Sequence, residues 1–131
     1  MLKDVKFVPV TENSVPFAAA AKCCEFEKIG YVEEEYFLSG EANIYEDGEK
    51  HIPKVIHENA PYTTRVIVRR PKDPADFSGN VVLEILNSTA RFDIDRMWIN
   101  SWKFFTRNGD VYVGITSKGH TLNQMQLNSQ I

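Results

Sequence analysis

An alternating pattern of apolar and polar residues begins in the sequence YVEEEYFL, residues 31–38. Side chains two positions apart share one face of a strand, so Val32, Glu34, Tyr36 and Leu38 lie together, and we expect that face to be buried. The Ser39–Gly40 pair predicts a turn before the β-like sequence EANIYE. The two segments are therefore expected to form a hairpin at the edge of a sheet.

The consecutive glutamates Glu33 to Glu35 allow two interpretations. A cluster of carboxylates can bind a metal or act in catalysis, but charged side chains are rarely buried. A solvated sheet edge is favoured, because charges on an edge strand discourage further strand pairing.

The stretch from Asp47 to Pro61 is rich in Gly, Pro, His and Asn and has no period, which predicts a surface loop. Its histidines, His51 and His57, are expected to be solvated, since no carboxylate or cysteine stands at a fixed spacing that would give them a chemical role.

The sequence TTRVIVRRP, residues 63–71, alternates again and predicts a half-buried strand that ends at proline. On this pattern Arg65 and Arg69 are expected to face outward. The following PKDPADFSGN predicts a turn-rich connection of ordinary length.

Residues 80–119 have the pattern of a strand, a helix and a second strand. VVLEIL is apolar on both faces, which favours an interior parallel strand with helices on each side, and VYVGITS predicts the second strand. Between them Asp93 is expected at the helix N-cap and Gly109 at the left-handed C-cap. Short connections predict parallel strands and a right-handed crossover. The apolar stripe of the helix, expected in the core, consists of Ile94, Trp98, Trp102 and Phe105.

Glu84 interrupts the first of these strands. Burying an isolated charge is costly, so its carboxylate must be paired or neutral. The candidate partners are Arg65, Arg69 and Arg91. A structural ion pair is favoured over a catalytic acid, because ligands of parallel sheets collect at strand ends rather than mid-strand.

The N-terminal part of the chain has a different character. Pro16 and the Ala-rich sequence after it predict a short helix that starts after Ser14 and ends at Gly30. We expect residues 1–30 to be an extension that carries this helix and residues 31–131 to form the main domain. Cys23 and Cys24 are expected to be free thiols, because the side chains of adjacent cysteines diverge along the backbone.

Composition and charge exclude several classes of function. The 131 residues are 43% apolar and 25% charged, and their net charge of −3 comes without a basic stripe, so nucleic acid is not an expected partner. No apolar run approaches the roughly 20 residues of a membrane span, which predicts a soluble, cytoplasmic protein. The three histidines have no zinc-site spacing, so neither a metal nor another cofactor is expected.

Ser117 and His120 follow the second strand, at the sheet edge where ligands gather. They suggest a nucleophile and a base. However, their sequence GITSKGH lacks the glycines of the strand-to-helix turn that exposes a nucleophilic serine, so no catalytic residue is expected here.

The segment from Gly30 to Gly119 resembles the α/β-hydrolase domain-containing proteins. The resemblance lies in YVEEEYFLSGEANIYE, APYTTRVIVRRPKDPADFSGNVVLEILNST and VYVGITSKG, in that order. It implies the N-terminal part of an α/β-hydrolase sheet, with antiparallel edge strands followed by the right-handed parallel unit, and an incomplete sheet overall.

The resemblance also implies a role for the loop from Asn87 to Arg91. In such hydrolases this loop donates a backbone N–H to the oxyanion hole, so the candidate site residues are Asn87, Ser88 and Thr89. The family pattern has glycines here, whereas this chain has Ser88 to Arg91, which restricts the backbone.

Two functions from different classes follow. The first is an esterase- or lipase-like serine hydrolase fragment, which acts on an ester-type small molecule once completed and is inactive alone because it lacks the nucleophile and triad. The alternative is a non-catalytic α/β module that associates with itself or a partner through an exposed sheet edge.

Overall fold

A computed structural model describes residues 1–12, 16 and 23–119 of the chain. Its strands and single α-helix are β1 (Leu2–Val8), β2 (Tyr31–Asp47), β3 (Pro53–Pro71), β4 (Val81–Ile85), α1 (Arg96–Asn108) and β5 (Val111–Ile115). Short 3₁₀ helices span Phe26–Ile29, Glu49–His51 and Pro74–Asp76. In these parts of the chain no helix has the length and apolar character needed to cross a membrane.

The five strands form one mixed sheet in the order β1-β2-β3-β5-β4. The pairs β1–β2, β2–β3 and β3–β5 are antiparallel, whereas β4 and β5 are parallel and are connected through α1. The predicted parallel strand–helix–strand unit is confirmed, and the architecture is that of part of an α/β fold.

The predicted hairpin turn at Ser39–Gly40 is wrong, because β2 continues through it to Asp47. The predicted loop from Asp47 to Pro61 is also mostly strand, since β3 begins at Pro53 and pairs with β2 over its whole length. A Cβ atom at Gly40 would lie 2.5 Å from the carbonyl oxygen of Met1. The glycine therefore permits the close approach of β1 rather than a chain reversal.

β1 was not predicted from the sequence. It pairs with β2 in a register that sets Phe7 opposite Tyr36, and their ring centroids are 5.5 Å apart. The segment that contains Glu33 to Glu35 is consequently an interior strand and not the expected sheet edge.

The sheet face that α1 covers is the opposite of the one expected. Trp98 of α1 is fully buried against Tyr112 of β5, at 5.3 Å between ring centroids, and Tyr31 of β2 belongs to the same cluster. Val32 and Leu38, on the other face, are only half-buried. The remaining residues of the aromatic core and its periphery are Phe105, Cys24, Phe26, Ile29, Val82 and Trp102.

The predicted C-cap of α1 is confirmed, whereas its predicted N-cap is wrong. Gly109 adopts the left-handed conformation as the C-cap of α1, as predicted, and Gly30 does the same after the 3₁₀ helix Phe26–Ile29. The N-cap of α1 is Asp95 and not Asp93. Residues 15 and 17–22 of the helix predicted after Ser14 lie outside the described residues, and in its described last part only Phe26–Ile29 is helical, as the 3₁₀ helix.

β4 is the last strand of the sheet in the described part of the chain. Its residues alternate, so that Val82 and Glu84 face α1 while Val81, Leu83 and Ile85 face the other side, where they are 54%, 64% and 69% exposed. Helical cover on both faces was expected for this strand, but the helix that the structure describes covers only one.

Candidate functional site

The loop after β4 is closed by hydrogen bonds between its own residues. Asn87 and Ile94 exchange both backbone hydrogen bonds, with N–O distances of 3.1 and 2.7 Å. The side-chain oxygen of Asn87 accepts from the backbone N–H of Thr89 at 2.9 Å, and the N–H of Arg91 donates to the carbonyl of Ser88, also at 2.9 Å. The loop therefore has a defined turn conformation at the carboxyl end of the parallel strands.

This geometry bears on the oxyanion candidates Asn87, Ser88 and Thr89. The N–H groups of Asn87 and Thr89 already donate within the loop, and Ser88 is buried. None of the hydrogen bonds that the structure describes uses the N–H of Ala90, which is exposed. Ala90 was not singled out from the sequence, because the direction of a loop N–H is not encoded in a local pattern.

Arg91 has a φ of 66°, in the left-handed region that favours glycine. Arg91 is the last residue of the stretch Ser88 to Arg91, where the resemblance implied glycines. A residue other than glycine lowers the free energy of unfolding by roughly 1–2 kcal/mol when it is held in this conformation. Glycine avoids that strain, but ordering its more flexible backbone on folding costs about 0.5–1 kcal/mol.

We expect Arg91→Gly to raise the free energy of unfolding by about 0.5–1 kcal/mol, because it relieves the left-handed backbone. Urea denaturation of both proteins measures the difference. Arg107→Gly is the matched control: Arg107 is an exposed residue of α1, where glycine is expected to lower stability by about 1 kcal/mol. A loss of stability in Arg91→Gly would contradict the expectation.

Beside this loop, two fully buried arginines of β3 hold four carboxylates. The guanidinium of Arg65 pairs with Glu35 and, at 3.1 Å, with Asp93. The guanidinium of Arg69 pairs with Asp95 and, at 2.6 Å, with Glu33. We call these six residues the buried ion network.

The expectation that Arg65 and Arg69 face outward is wrong, as is the expectation that Glu33 and Glu35 are solvated. Both arginines have exposures of 2% or less. Burial raises the pKa of Glu33 above its usual value, against the opposing effect of Arg69. For Arg69 the neighbouring carboxylates outweigh burial and raise its pKa.

The third consecutive glutamate, Glu34, lies on the other face of β2 and pairs with Arg70 at 2.7 Å. The hydrogen bond from Arg70 lowers the pKa of Glu34. Both side chains keep substantial contact with solvent, so this pair contributes little to stability.

Glu84 is buried, and its carboxylate has partners other than those expected. Both of its oxygens accept from the backbone N–H of Met97, at 3.1 Å, and one accepts from the hydroxyl of Tyr112 at 2.5 Å. The first turn of α1 leaves N–H groups without helical partners, and its positive dipole end favours an anion. Burial, with the contribution of Glu84, raises the pKa of Tyr112. Glu84 therefore joins α1 to the sheet.

The buried ion network reaches the carboxyl end of β5 through Thr116. The hydroxyl of Thr116 donates to the Asp93 carboxylate at 2.5 Å, and its N–H donates to the carbonyl of Arg65 at 3.0 Å. The second Asp93 oxygen and one nitrogen of Arg69 are buried without a hydrogen-bond partner. Because Asp93 and Asp95 lie between the loop and α1, the network fixes the returning limb of the loop against the sheet.

Ser117 is exposed just beyond β5, and His120 lies outside the described residues. His51 pairs with Asp47 at 2.9 Å in an exposed turn far along the sheet from the loop. Within residues 1–12, 16 and 23–119, no group of three or more His, Cys, Asp or Glu side chains is arranged to hold a metal ion.

A family model described as "Alpha/beta hydrolase domain" matches residues 4–129 of the chain. Comparisons with curated proteins and with solved structures gave no match. The family match covers nearly the whole chain and includes both the loop and the buried ion network.

Proposed function

The chain belongs to the alpha/beta hydrolase domain family, and from that premise we propose that it is the N-terminal part of a serine-type hydrolase that transfers the acyl group of a carboxylic ester to water. The observation that carries this proposal is the loop at Asn87 to Arg91, which follows a parallel strand at the edge where ligands bind and is fixed by buried charges. We also place the protein in the cytoplasm, in line with its free cysteines.

The loop serves the chemistry through its backbone. When a serine adds to an ester carbonyl, negative charge develops on the carbonyl oxygen, and each pre-oriented N–H aimed at that oxygen is worth about 10²–10³ in rate. One donor comes from this loop and the other from the residue after the nucleophile. Ala90 is an exposed residue whose N–H is used by none of the described hydrogen bonds, and it stands next to the candidates Asn87, Ser88 and Thr89.

The sequence contains no G-x-S-x-G, so the nucleophile is not among these residues. Ser117 follows a strand but is preceded by Ile115 and Thr116, which do not give the tight strand-to-helix turn. We therefore propose that the chain alone does not turn over an ester, and that a segment with a nucleophile elbow completes the site.

Hydrolysis of p-nitrophenyl butyrate and labelling by a fluorophosphonate test this directly. The isolated chain is expected to show neither. A rate above that of buffer that disappears in Ser117→Ala, or a fluorophosphonate adduct, would overturn the proposed absence of a nucleophile.

The loop's role is tested in the chain joined to a segment that carries a nucleophile elbow. Ala90→Pro removes the N–H and is expected to lower kcat by about 10²–10³ with little change in KM. Ala90→Gly keeps the N–H and serves as the control. Thermal melting checks that both variants fold, and equal kcat values for two folded variants would exclude this loop donor.

A non-catalytic module that associates through its sheet edge is the second candidate, and the exposure of β4 favours it. β4 is paired with β5 on one side and has no described neighbour on the other. One of its faces is open and carries the exposed apolar side chains of Val81, Leu83 and Ile85. Unpaired strand edges and exposed apolar patches favour association. In either function we take the sheet to be incomplete, with a right-handed crossover between β4 and β5.

We expect the chain to form dimers or larger species that Leu83→Lys shifts toward the monomer, because a charge in the middle of the open face opposes its burial. Size-exclusion chromatography with light scattering measures the mass. Phe104→Lys, at an exposed position of α1, is the control and should leave the mass unchanged. A wild-type monomer with one cooperative melting transition would contradict association through β4.

A further inference from the structure

Two adjacent thiols lie side by side at the start of the described segment that leads into β2. Cys23 is exposed, Cys24 is half-buried, and neither forms a disulfide. Their sulfur atoms are 3.8 Å apart. The sequence-based expectation of free thiols is confirmed, but the side chains converge rather than diverge.

The distance between the two sulfurs distinguishes between a disulfide bond and the binding of both sulfurs to one bridging atom. A disulfide needs a sulfur–sulfur bond of about 2.05 Å, and closing it between adjacent residues has to accommodate the planar peptide between them. Two sulfurs bound to one atom by bonds of about 2.3 Å lie about 3.3–3.8 Å apart, the shorter distance for a pyramidal centre and the longer one for a tetrahedral centre. The observed distance is at the upper end of this range, so a pyramidal bridging atom requires only a small approach of the two sulfurs.

The number of available ligands selects the kind of bridging atom. Tetrahedral zinc needs four ligands, and the described residues hold no group of three metal-binding side chains. Cys23 and Cys24 are also the only cysteines of the chain. The site therefore suits a thiophilic atom that forms three bonds. Two of them are to the cysteine sulfurs, and the third is to a substituent that the ligand already contains.

We propose that Cys23 and Cys24 form a binding site for monosubstituted trivalent arsenicals. In the reaction, a dihydroxyarsine loses both hydroxyl groups and the two thiols lose their protons. Two arsenic–sulfur bonds replace two arsenic–oxygen bonds, and the hydroxyl groups and protons leave as two molecules of water. Arsenic remains trivalent, so the reaction needs no oxidant or reductant.

The surroundings of Cys24 support this chemistry over simple alkylation. Burial raises the pKa of Cys24 to about 11, with Cys23 contributing in the same direction, so its thiol is protonated at neutral pH. Alkylation requires the thiolate and is slowed, whereas condensation with a hydroxyarsine carries the thiol proton away as water. Cys24 also packs against the cluster that contains Trp98, which connects the site to the aromatic core.

The test uses phenylarsine oxide, with intact-protein mass spectrometry and tryptophan fluorescence as readouts. The wild-type chain is expected to bind one phenylarsenic group, with loss of two thiol hydrogens, in the presence of excess glutathione. Cys23→Ser and Cys24→Ser should each raise the half-saturating concentration at least about tenfold, because the second sulfur bond is then no longer intramolecular. Cys23 is exposed, so Cys23→Ser preserves the fold and keeps the comparison valid.

Two further measurements separate a folded site from two reactive thiols. In Trp102→Phe the remaining tryptophan is Trp98, and its emission should change on binding and recover when 1,2-ethanedithiol removes the arsenical. Half-saturation should require several-fold more phenylarsine oxide in urea, where the distance between the sulfurs is no longer fixed. Equal binding by a single-cysteine variant, release by glutathione, equal or tighter binding in urea, or an unchanged Trp98 emission would each overturn the proposal.

Discussion

Replacing Arg69 by methionine is expected to lower the free energy of unfolding by about 3–5 kcal/mol. Arg69 is completely buried, and its removal leaves the fully buried Asp95 and the largely buried Glu33 without their shared cation. The guanidinium also lies 4.8 Å from the ring centroid of Trp98, so part of the packing of α1 is lost with it. Urea denaturation followed by far-UV circular dichroism measures the loss.

Arg70→Met is the matched control for the loss of a cation. Arg70 is the next residue of β3, but it faces the other side of the sheet and pairs with Glu34 in partial contact with solvent. Its replacement is expected to cost less than about 1 kcal/mol. If the two variants lose the same stability, burial of the charge is not what makes Arg69 important.

The loss of unfolding free energy in Arg69→Met should also depend on pH. Burial raises the pKa of Glu33, and without Arg69 that pKa rises further. A carboxyl whose pKa is higher in the folded than in the unfolded chain destabilises the fold as pH rises through the folded value. The difference between Arg69→Met and wild type is therefore expected to shrink as the pH is lowered from neutral into the acidic range, where this carboxyl takes up its proton. A constant difference would exclude an unpaired carboxylate as its cause.

Trp98→Ala is the other large effect, with an expected loss of about 3–5 kcal/mol. Trp98 has no exposed surface and contacts aromatic residues of both the sheet and the 3₁₀ helix before β2. Its removal leaves a cavity between α1 and the sheet that these rings cannot fill together. Near-UV circular dichroism should show loss of the aromatic signal, and urea denaturation gives the free energy.

Phe104→Ala tests whether burial rather than aromatic character sets the size of that effect. Phe104 is six residues along the same helix and is 52% exposed. Its replacement is expected to change stability by no more than about 0.5 kcal/mol. A Trp98→Ala loss as small as that of Phe104→Ala would contradict the central position of Trp98 in the core.

Much of the second half of the fold follows from the sequence alone. The apolar stripe with Trp98 and Phe105 has helical spacing, and Gly109 supplies the left-handed residue that ends the helix. Both are local properties, since the neighbours that matter are within one or two turns. The parallel pairing of β4 and β5 follows equally, because a short connection through a helix leaves few alternatives.

In the first half of the chain two predictions are wrong, because the same local composition can have either of two physical causes. Gly40 has the composition of a turn, but glycine also permits another strand to approach closely, and here β1 does so. The polar residues from Asp47 to Pro61 suggest a loop, yet a long two-stranded ribbon exposes both faces and tolerates the same composition. Local composition does not distinguish between these outcomes.

For the candidate site, too, some features follow from the local sequence and others depend on the tertiary structure. The position of the loop at Asn87 to Arg91 follows from the sequence and the family resemblance, because the change from the apolar VVLEIL to polar residues marks the end of the strand. Which of its N–H groups are already engaged was decided by hydrogen bonds to Ile94 and within the turn, which depend on how the loop returns to α1.

The sequence by itself determined the parallel strand–helix–strand unit, the end of its helix and the family, all of which rest on spacing along the chain. The tertiary structure alone decided which face of the sheet is buried, and with it the inward position of Arg65 and Arg69. An alternating strand specifies two faces but not which of them a helix will cover. Here α1 and the loop before it bring Asp93 and Asp95 over the arginines, and this pairing makes burial of their charge possible.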